Sequence, residues 1–192
     1  MGELLVFDTE TTGLPKLISF NVYNDPQELK YYDSARMIEI AYIIYSKQGT
    51  EVLRKEFLIK PDGFEINNSN IHGITFKHAN EKGIDIRDVL EEIHQDLNNM
   101  SSVKLIAHNI LFDINILVSE CYRYNKLNLV NKLKQCKTTC TMQMGMRVLN
   151  VPFCLKLVML YRTLFRKYIE QDHRALSDVE ICSSCYFKMI SL

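Results

Sequence analysis

The stretch LVFDTETTGLP, residues 5–15, places an Asp-Thr-Glu triplet directly after a run of apolar residues. A short apolar run that ends in polar turn residues is typical of a buried strand, here residues 3–9. Side chains two apart on a strand point to the same face, so Asp8 and Glu10 are expected side by side with Thr9 turned away. Neighbouring carboxylates repel each other and resist desolvation. The stretch therefore predicts a positive partner between them, although exposed acids at a strand end also occur without a function.

The composition is ordinary for a globular protein. The chain has 192 residues, of which 47% are hydrophobic and 24% charged, and its net charge is zero. This length suits a single domain, residues 1–192, with a real core. No apolar run approaches the roughly 18 to 20 residues needed to cross a bilayer, and the first residues lack the basic region of a signal peptide. We therefore expect an intracellular protein, in the cytoplasm or nucleus, that is neither secreted nor bound to a membrane.

Hydrophobic periodicity predicts three strands first and then strands that alternate with helices. The predicted strands are residues 3–9, 37–46, 52–60, 103–108 and 135–141, and the predicted helices are residues 86–100, 111–124, 142–149, 155–165 and 175–190. This order indicates an α/β fold in which helices pack on the faces of a mixed sheet. Residues 16–36 show no clear period and are expected to form an extended loop inserted between the first two strands. Four aromatic residues there, Phe20, Tyr23, Tyr31 and Tyr32, argue against disorder.

Charge is distributed unevenly along the chain. Residues 121–174 contain eleven Lys and Arg residues but only Glu170 and Asp172 as acids, a net charge of +9. A stretch dominated by one sign favours a polyanionic partner over a neutral small molecule. The members closest to the end of this stretch, and to the last predicted helix, are Arg162, Arg166, Lys167 and Arg174.

Two pairs of cysteines raise a zinc site as an alternative. Cys136 and Cys140 form one pair, and Cys182 and Cys185 form a Cys-x-x-Cys, so together they could supply four ligands. The second pair lies in a predicted continuous helix instead of a tight knuckle. That position favours reduced, half-buried thiols that act as small hydrophobic groups.

Two later stretches also bring an acid to the start of a predicted helix. LIAHNILFD, residues 105–113, carries a buried strand into a turn and then to Asp113. HRALSD, residues 173–178, places His173 just before the last helix and Asp178 within its first turn. Each has a simple alternative, because acids stabilise the positive end of a helix and a lone histidine is usually a surface residue.

Together, the three stretches resemble the three motifs of the DEDDh group of 3′-to-5′ exonucleases, the DnaQ-like family of the ribonuclease-H-like superfamily. His173 stands five residues before Asp178, as in the histidine type, and Arg174 occupies the position of the tyrosine in a sister group. Residues 71–75, IHGIT, and residues 155–165 are similar to two further segments of the family. The resemblance implies a five-stranded mixed sheet, flanked by helices on both faces, with the first and fourth strands adjacent.

The resemblance also implies a metal-dependent site for phosphodiester hydrolysis. Two Mg²⁺ ions, which Mn²⁺ can replace, would be held by carboxylates, and His173 would act as the general base of a two-metal mechanism that releases nucleoside 5′-monophosphates. The implied metal ligands, catalytic together with His173, are Asp8, Glu10, Asp113 and Asp178. The candidates for substrate binding are Thr9, Thr11, Thr12, Gly13, Leu14, His72, Asn109 and Phe112. Structural roles remain open for His72 and Phe112.

The expected substrate is the 3′ end of a nucleic acid. Single-stranded DNA is slightly favoured, and an RNA or oligoribonucleotide 3′-to-5′ exonuclease is the alternative, because no feature discriminates the 2′-hydroxyl. A catalytically inactive nucleic-acid-binding domain is less favoured, since no acid or histidine of the motifs is missing. A small-molecule phosphatase would fit Asp8 and Glu10 but would not require the other two motifs. The sequence identifies no replication or repair partner.

Overall fold

The apolar run near the start of the chain forms a nine-residue strand, β1 (Glu3–Thr11). The computed structural model describes residues 3–19 and 21–192. The other strands in this part of the chain are β2 (Leu17–Ser19), β3 (Val22–Tyr23), β4 (Met37–Tyr45), β5 (Glu51–Leu58), β6 (Val103–Ala107) and β7 (Lys137–Cys140). The helices are α1 (Ser69–His72), α2 (Phe76–Lys82), α3 (Ile86–Asn98), α4 (Ile110–Arg123), α5 (Leu127–Gln135), α6 (Thr141–Val148), α7 (Leu157–Phe165) and α8 (Ala175–Ile190).

β1 is the middle strand of the main sheet, whose order is β5-β4-β1-β6-β7. It pairs antiparallel with β4 and parallel with β6. The outer strands continue the same pattern, β5 antiparallel to β4 and β7 parallel to β6. The predicted five-stranded mixed sheet is thereby confirmed, and so is the adjacency of the first and fourth predicted strands, β1 and β6.

Helices cover both faces of the sheet, and the alternation of side chains along β1 decides which residues meet which layer. Leu5 and Phe7 point into a core shared with α3, α4 and α5. Leu4 and Val6 point into a second core shared with α7 and α8. By the same alternation, the strand's next residues present acids towards the α8 layer and a threonine towards the α4 layer. Side chains from both helical layers can therefore meet at the end of β1.

β4 is almost wholly apolar, as expected for an inner strand. Eight of its nine residues are buried. Its single charged residue, Glu39, has an exposed fraction of 0% and lies opposite Glu10 in the β1–β4 register. A carboxylate buried in this way requires charged or hydrogen-bonding partners.

Several short elements were not predicted. Residues 16–36, expected to form an extended loop insertion, contain β2 and β3, which pair as a small antiparallel sheet; Phe20 lies outside the described residues. Helices α1, α2 and α5 were also missed. The first two have only four and seven residues, too few to establish a period. In α5 the apolar residues alternate closely with Asn and Lys, which obscures the buried face.

Helix α8 packs along the sheet and contains two of the cysteines considered as zinc ligands. Cys182 and Cys185 are buried free thiols in the α8 core. Cys136 and Cys140 are half-buried and pack against the core on the α4 side of the sheet. None of the described helices has both the length and the apolar character needed to cross a membrane.

Candidate active site

Two carboxylates project from the end of β1 on the side covered by α8. Asp8 follows Leu4 and Val6 on the same face, and Glu10 follows one pleat later. Both acids are partly buried. Because β1 is the middle strand, its end opens between the two helical layers, where side chains from either layer can reach it.

The α4 layer contributes Asp113. Asn109, in the left-handed conformation with φ 62° and ψ 47°, turns the chain into α4 and places Asp113 in the first turn. Asp113 is buried, and its Oδ1 accepts hydrogen bonds from the Thr9 amide at 3.0 Å and from the Thr9 hydroxyl at 2.8 Å. Thr9 therefore orients Asp113, and a substrate contact by Thr9 stays a prediction.

The loop before α8 and the first turn of α8 contribute His173 and Asp178. Asp178 is buried, and its Oδ2 accepts a hydrogen bond from Gln171 Nε2 at 2.7 Å. Its Oδ1 is also buried but has no hydrogen-bond partner among the described residues. His173 is exposed and adopts a left-handed φ of 51°. Ligand atoms of Glu10, His173 and Asp178 lie within 4.8 Å of one another, so the end of β1 gathers side chains from three distant parts of the chain.

Burial, and then neighbouring negative charge, raises the pKa of each of the four carboxyl groups. Burial, followed by the charges of Asp113, Asp178 and Glu10, raises the pKa of Asp8 well above its usual range. Burial and then Asp178 raise the pKa of Glu10 to about 8. Burial raises the pKa of Asp113 to about 7, against the lowering effect of the hydrogen bonds from Thr9. Burial also raises the pKa of Asp178. The cluster thus concentrates more negative charge than the polypeptide alone stabilises at neutral pH.

This donor set fits a divalent cation that prefers oxygen ligands. The carboxylates of Asp8, Glu10, Asp113 and Asp178 converge, and the unpartnered Oδ1 of Asp178 is a buried acceptor. A cation among them would lower all four pKa values by direct attraction. Mg²⁺ and Mn²⁺ both suit carboxylate ligands. These four residues are therefore the ones that could hold such an ion.

A fifth carboxylate next to the cluster, Glu39, was missed by the sequence analysis. It accepts hydrogen bonds from Arg174 Nε at 3.0 and 3.1 Å, from Arg174 Nη2 at 2.5 Å and from the Ala175 amide at 2.9 Å. These bonds attach the residues that follow His173 to the inner strand β4. One signal in the sequence could have identified Glu39, because it is the only charge in the apolar run MIEIAYIIY.

An open cleft of about 420 Å³ reaches Asp8 and Asp178, a size within the range of ligand sites. His108 lies in its wall, with Nε2 2.9 Å from the Leu155 carbonyl oxygen and Nδ1 3.0 Å from the Thr141 hydroxyl. Burial lowers the pKa of His108 to about 4, so its imidazole is neutral and structural. Exposed Lys156 also lines the cleft and adds positive charge beside the acids.

The turn after β1 is held by the inserted segment. The Thr11 hydroxyl donates to the Gly13 carbonyl at 2.7 Å, and the Thr12 hydroxyl donates to the Ser34 carbonyl at 3.1 Å. A Cβ at Gly13 would lie 2.8 Å from the same Ser34 oxygen, so only glycine fits this close approach. The hydroxyls of Thr11 and Thr12 thus donate hydrogen bonds within the protein, and substrate contacts by this turn stay a prediction. Leu14 is 75% exposed and remains available for such a contact.

The other three candidates for substrate binding differ in their surroundings. Asn109 lines the cleft together with Asp8. Phe112 is half-buried and packs against the core beneath α4. His72 is buried at the end of α1, where its Nδ1 accepts a hydrogen bond from the Ile74 amide at 3.1 Å. Substrate contacts by these three residues stay predictions.

Folding neutralises part of the basic stretch, residues 121–174. Arg123 pairs with Asp33 and Lys126 with Glu91, each at 2.9 Å. Arg174 is occupied by Glu39, so it is not the free phosphate-binding group suggested by its position in the sequence.

The model of the RNase T exonuclease family matches residues 5–186. The chain belongs to the RNase T exonuclease family. This confirms the resemblance to the DnaQ-like exonucleases, and it confirms the predicted enzyme class, a 3′-to-5′ exonuclease that hydrolyses phosphodiester bonds. All residues of the carboxylate cluster lie within the matched span. A search of curated protein sequences gave no match.

Several solved structures share the fold of this RNase T family member. Exonuclease X in complex with 5′ overhanging duplex DNA is 22% identical with a TM-score of 0.64, over 98% of this chain and 91% of that one. Escherichia coli Exonuclease I in complex with a dA16 oligonucleotide is 17% identical with a TM-score of 0.70, over 100% of this chain and 41% of that one. Schizosaccharomyces pombe Pop2p in its Mg²⁺- and Mn²⁺-bound form is 20% identical with a TM-score of 0.73, over 98% of this chain and 82% of that one. The chain therefore spans about two fifths of Exonuclease I, and these likenesses establish the fold.

Proposed function

We propose that the protein releases nucleoside 5′-monophosphates from nucleic-acid 3′ ends, with two Mg²⁺ ions in the carboxylate cluster and His173 as the general base. The observation that carries this proposal is the convergence of Asp8, Glu10, Asp113 and Asp178 beside one exposed histidine. Their raised pKa values reflect burial first and neighbouring negative charge second, and bound cations would offset both effects. The structure of Pop2p with Mg²⁺ and Mn²⁺ supports the choice of metal.

The bound cations would supply positive charge that activates water and stabilises the leaving 3′ oxygen. The other tasks fall to the side chains of the protein. Thr9 and Gln171 hold the carboxylates of Asp113 and Asp178 in fixed orientations. His173 lies at the exposed edge of the cluster, where its ring can accept a proton from the attacking water. Leu14 is available to pack against the terminal base.

Contacts with substrate are expected to be independent of base sequence. A 3′-end exonuclease must accept every base, so stacking and phosphate contacts dominate over hydrogen bonds to base edges. Lys156 in the cleft wall is placed to contact a phosphate. DNA is the favoured substrate because Exonuclease X and Exonuclease I were solved with DNA. RNA is the alternative, since no side chain in the described part of the chain is assigned to a 2′-hydroxyl.

The test is digestion of 3′-labelled single-stranded DNA, duplex DNA and RNA of one sequence, with Mg²⁺ or Mn²⁺. We expect a labelled mononucleotide as the first product, loss of activity with a chelator, and faster digestion of single-stranded DNA. Asp8→Asn should be inactive yet folded, whereas Asp88→Asn, an exposed acid on α3, should retain activity. Digestion that is indifferent to chelators, or an active Asp8→Asn protein, would refute the proposal.

A further inference from the structure

The inserted segment, residues 16–36, is anchored to the body of the protein. The Lys16 amide donates to the Tyr31 carbonyl at 2.8 Å, and the side chain of Asn24 donates to the Lys16 carbonyl at 2.6 Å. Tyr32 is buried in the core, and its hydroxyl donates to the Asn24 carbonyl at 2.6 Å. The hairpin formed by β2 and β3 between these anchors is therefore held in a defined place.

That place is beside the α4 side of the carboxylate cluster. Tyr23 pairs with Leu17 across the hairpin, and Leu111, two residues before Asp113, lies in the first turn of α4. Val22 and Tyr23 line a groove of about 540 Å³ whose opposite wall includes Leu111 of α4. The hairpin is thus next to the turn of α4 that carries Asp113, at the site in which a 3′ end would lie.

Most of the exposed side chains in the described part of the hairpin are aliphatic. Leu17, Ile18 and Val22 are exposed, as are their neighbours Leu14 and Leu111. The only charged residue in residues 14–22 is Lys16. Aliphatic side chains have no affinity for phosphates, but they pack well against the faces of unstacked bases. Such faces are accessible in a single strand and hidden in a duplex.

We propose that the β2–β3 hairpin is a base-contacting wall, in which Leu17, Ile18 and Val22 pack against the unpaired bases immediately 5′ of the terminal nucleotide. The wall selects single-stranded 3′ ends. This inference rests on the proposed function, which locates the 3′ end in the carboxylate cluster. A protein partner fits this surface less well, because it would block the cleft and because a stable protein interface buries roughly 800 Å² on each side.

The test combines Ile18→Ser with Val22→Ser in one protein. Val52→Ser is the matched control, because Val52 is 65% exposed and Ile18 66% exposed, and both lie in strands. Val52 lies near the start of β5, at the end of the sheet away from the cluster. Binding is measured by fluorescence anisotropy with a 20-nucleotide DNA strand and with its blunt duplex. All proteins carry Asp8→Asn, so that turnover does not interfere.

We expect the hairpin variant to raise the Kd for the single strand about tenfold, because two apolar contacts with unpaired bases are removed. Its Kd for the duplex should change less than twofold, and Val52→Ser should change neither. An unchanged Kd for the single strand would overturn the proposal. So would equal weakening for strand and duplex, or sedimentation that reveals a dimer dissociated by the substitutions.

The outcome is separable from that of the proposed function. A protein that binds single strands through the hairpin but releases no mononucleotide when Asp8 is intact supports the wall and contradicts the nuclease proposal. If the protein digests 3′ ends but the hairpin variant keeps the parental Kd, the nuclease proposal is supported and the wall is contradicted. A parent protein that binds no DNA overturns both.

Discussion

Arg174 holds both carboxylate oxygens of Glu39, with its Nε at 3.0 and 3.1 Å and its Nη2 at 2.5 Å. Glu39 belongs to the inner strand β4 and has no solvent exposure. Arg174 directly follows His173, whose backbone is in the left-handed region. The ion pair therefore fixes the position of the proposed general base from inside the sheet.

Glu39→Gln should lower kcat about 10²-fold, because displacing a reacting group by roughly 1 Å has an effect of this size. KM for an oligonucleotide should stay near the parental value. Glu56→Gln is the control, since Glu56 contacts the same arginine at 3.3 Å from the surface. Steady-state kinetics give kcat and KM for the parent and both variants. Thermal melting of each protein gives the folded fraction by which its kcat is corrected. Equal kcat values for the two variants would reduce Glu39 to a purely structural role.

His173→Ala should slow turnover by roughly 10² to 10⁴, the usual contribution of a general base. Mg²⁺ should still raise the melting temperature of the variant, since the carboxylates remain. His94→Ala, a partly exposed histidine on α3, serves as the control and should be as active as the parent. Loss of the Mg²⁺-induced stabilisation in His173→Ala would show that the ring is a metal ligand instead.

Glu10 should make the cation-free protein less stable as the pH rises. Its pKa is about 8 in the fold and has an ordinary value of 4.5, so between these values the folded state binds more protons than the unfolded state. The stabilisation that comes from proton binding by folded Glu10 is complete below about pH 4.5 and is lost by about pH 8. Glu10→Gln should therefore melt at a higher temperature than the parent at pH 8 in a chelator, with the difference shrinking towards pH 5. A difference that does not depend on pH would contradict the raised pKa.

Thr9→Val should weaken Mg²⁺ binding about tenfold, because it removes the hydroxyl that orients Asp113. Thr9→Ser keeps that hydroxyl and should restore most of the affinity. Titration of activity with Mg²⁺ measures the effect. If Val and Ser behave alike, the Thr9 amide alone is sufficient to hold Asp113.

Much of the fold could be predicted because its inner strands are apolar and its helices are periodic. The candidate catalytic residues could be predicted from the sequence for a related reason. Asp8, Asp113 and Asp178 each lie where a strand ends or a helix begins, so short motifs reveal them. The ion pair of Glu39 and Arg174 joins residues 135 positions apart, and no local pattern encodes such a pairing.

The turn after β1 contains a second set of contacts that could not be predicted from the sequence. Thr11 and Thr12 are polar and lie next to the catalytic acids, which favoured a role in substrate binding. Their hydroxyls donate to carbonyl oxygens, one of them on Ser34 in the inserted segment, a packing role that their polarity did not predict. The path of that segment depends on the burial of Tyr32 in the core and on the ion pair of Arg36 with Glu120, and hydrophobic periodicity reveals neither.

The carboxylate cluster draws on both helical layers, and α8 comes after every strand of the sheet in the chain. During translation, a nascent chain can therefore assemble β1 and α4 while Asp178 is still to be synthesised. Such an intermediate lacks one acid and the histidine, so on the proposed function it would be inactive. We therefore expect activity to appear only after α8 has docked against the sheet.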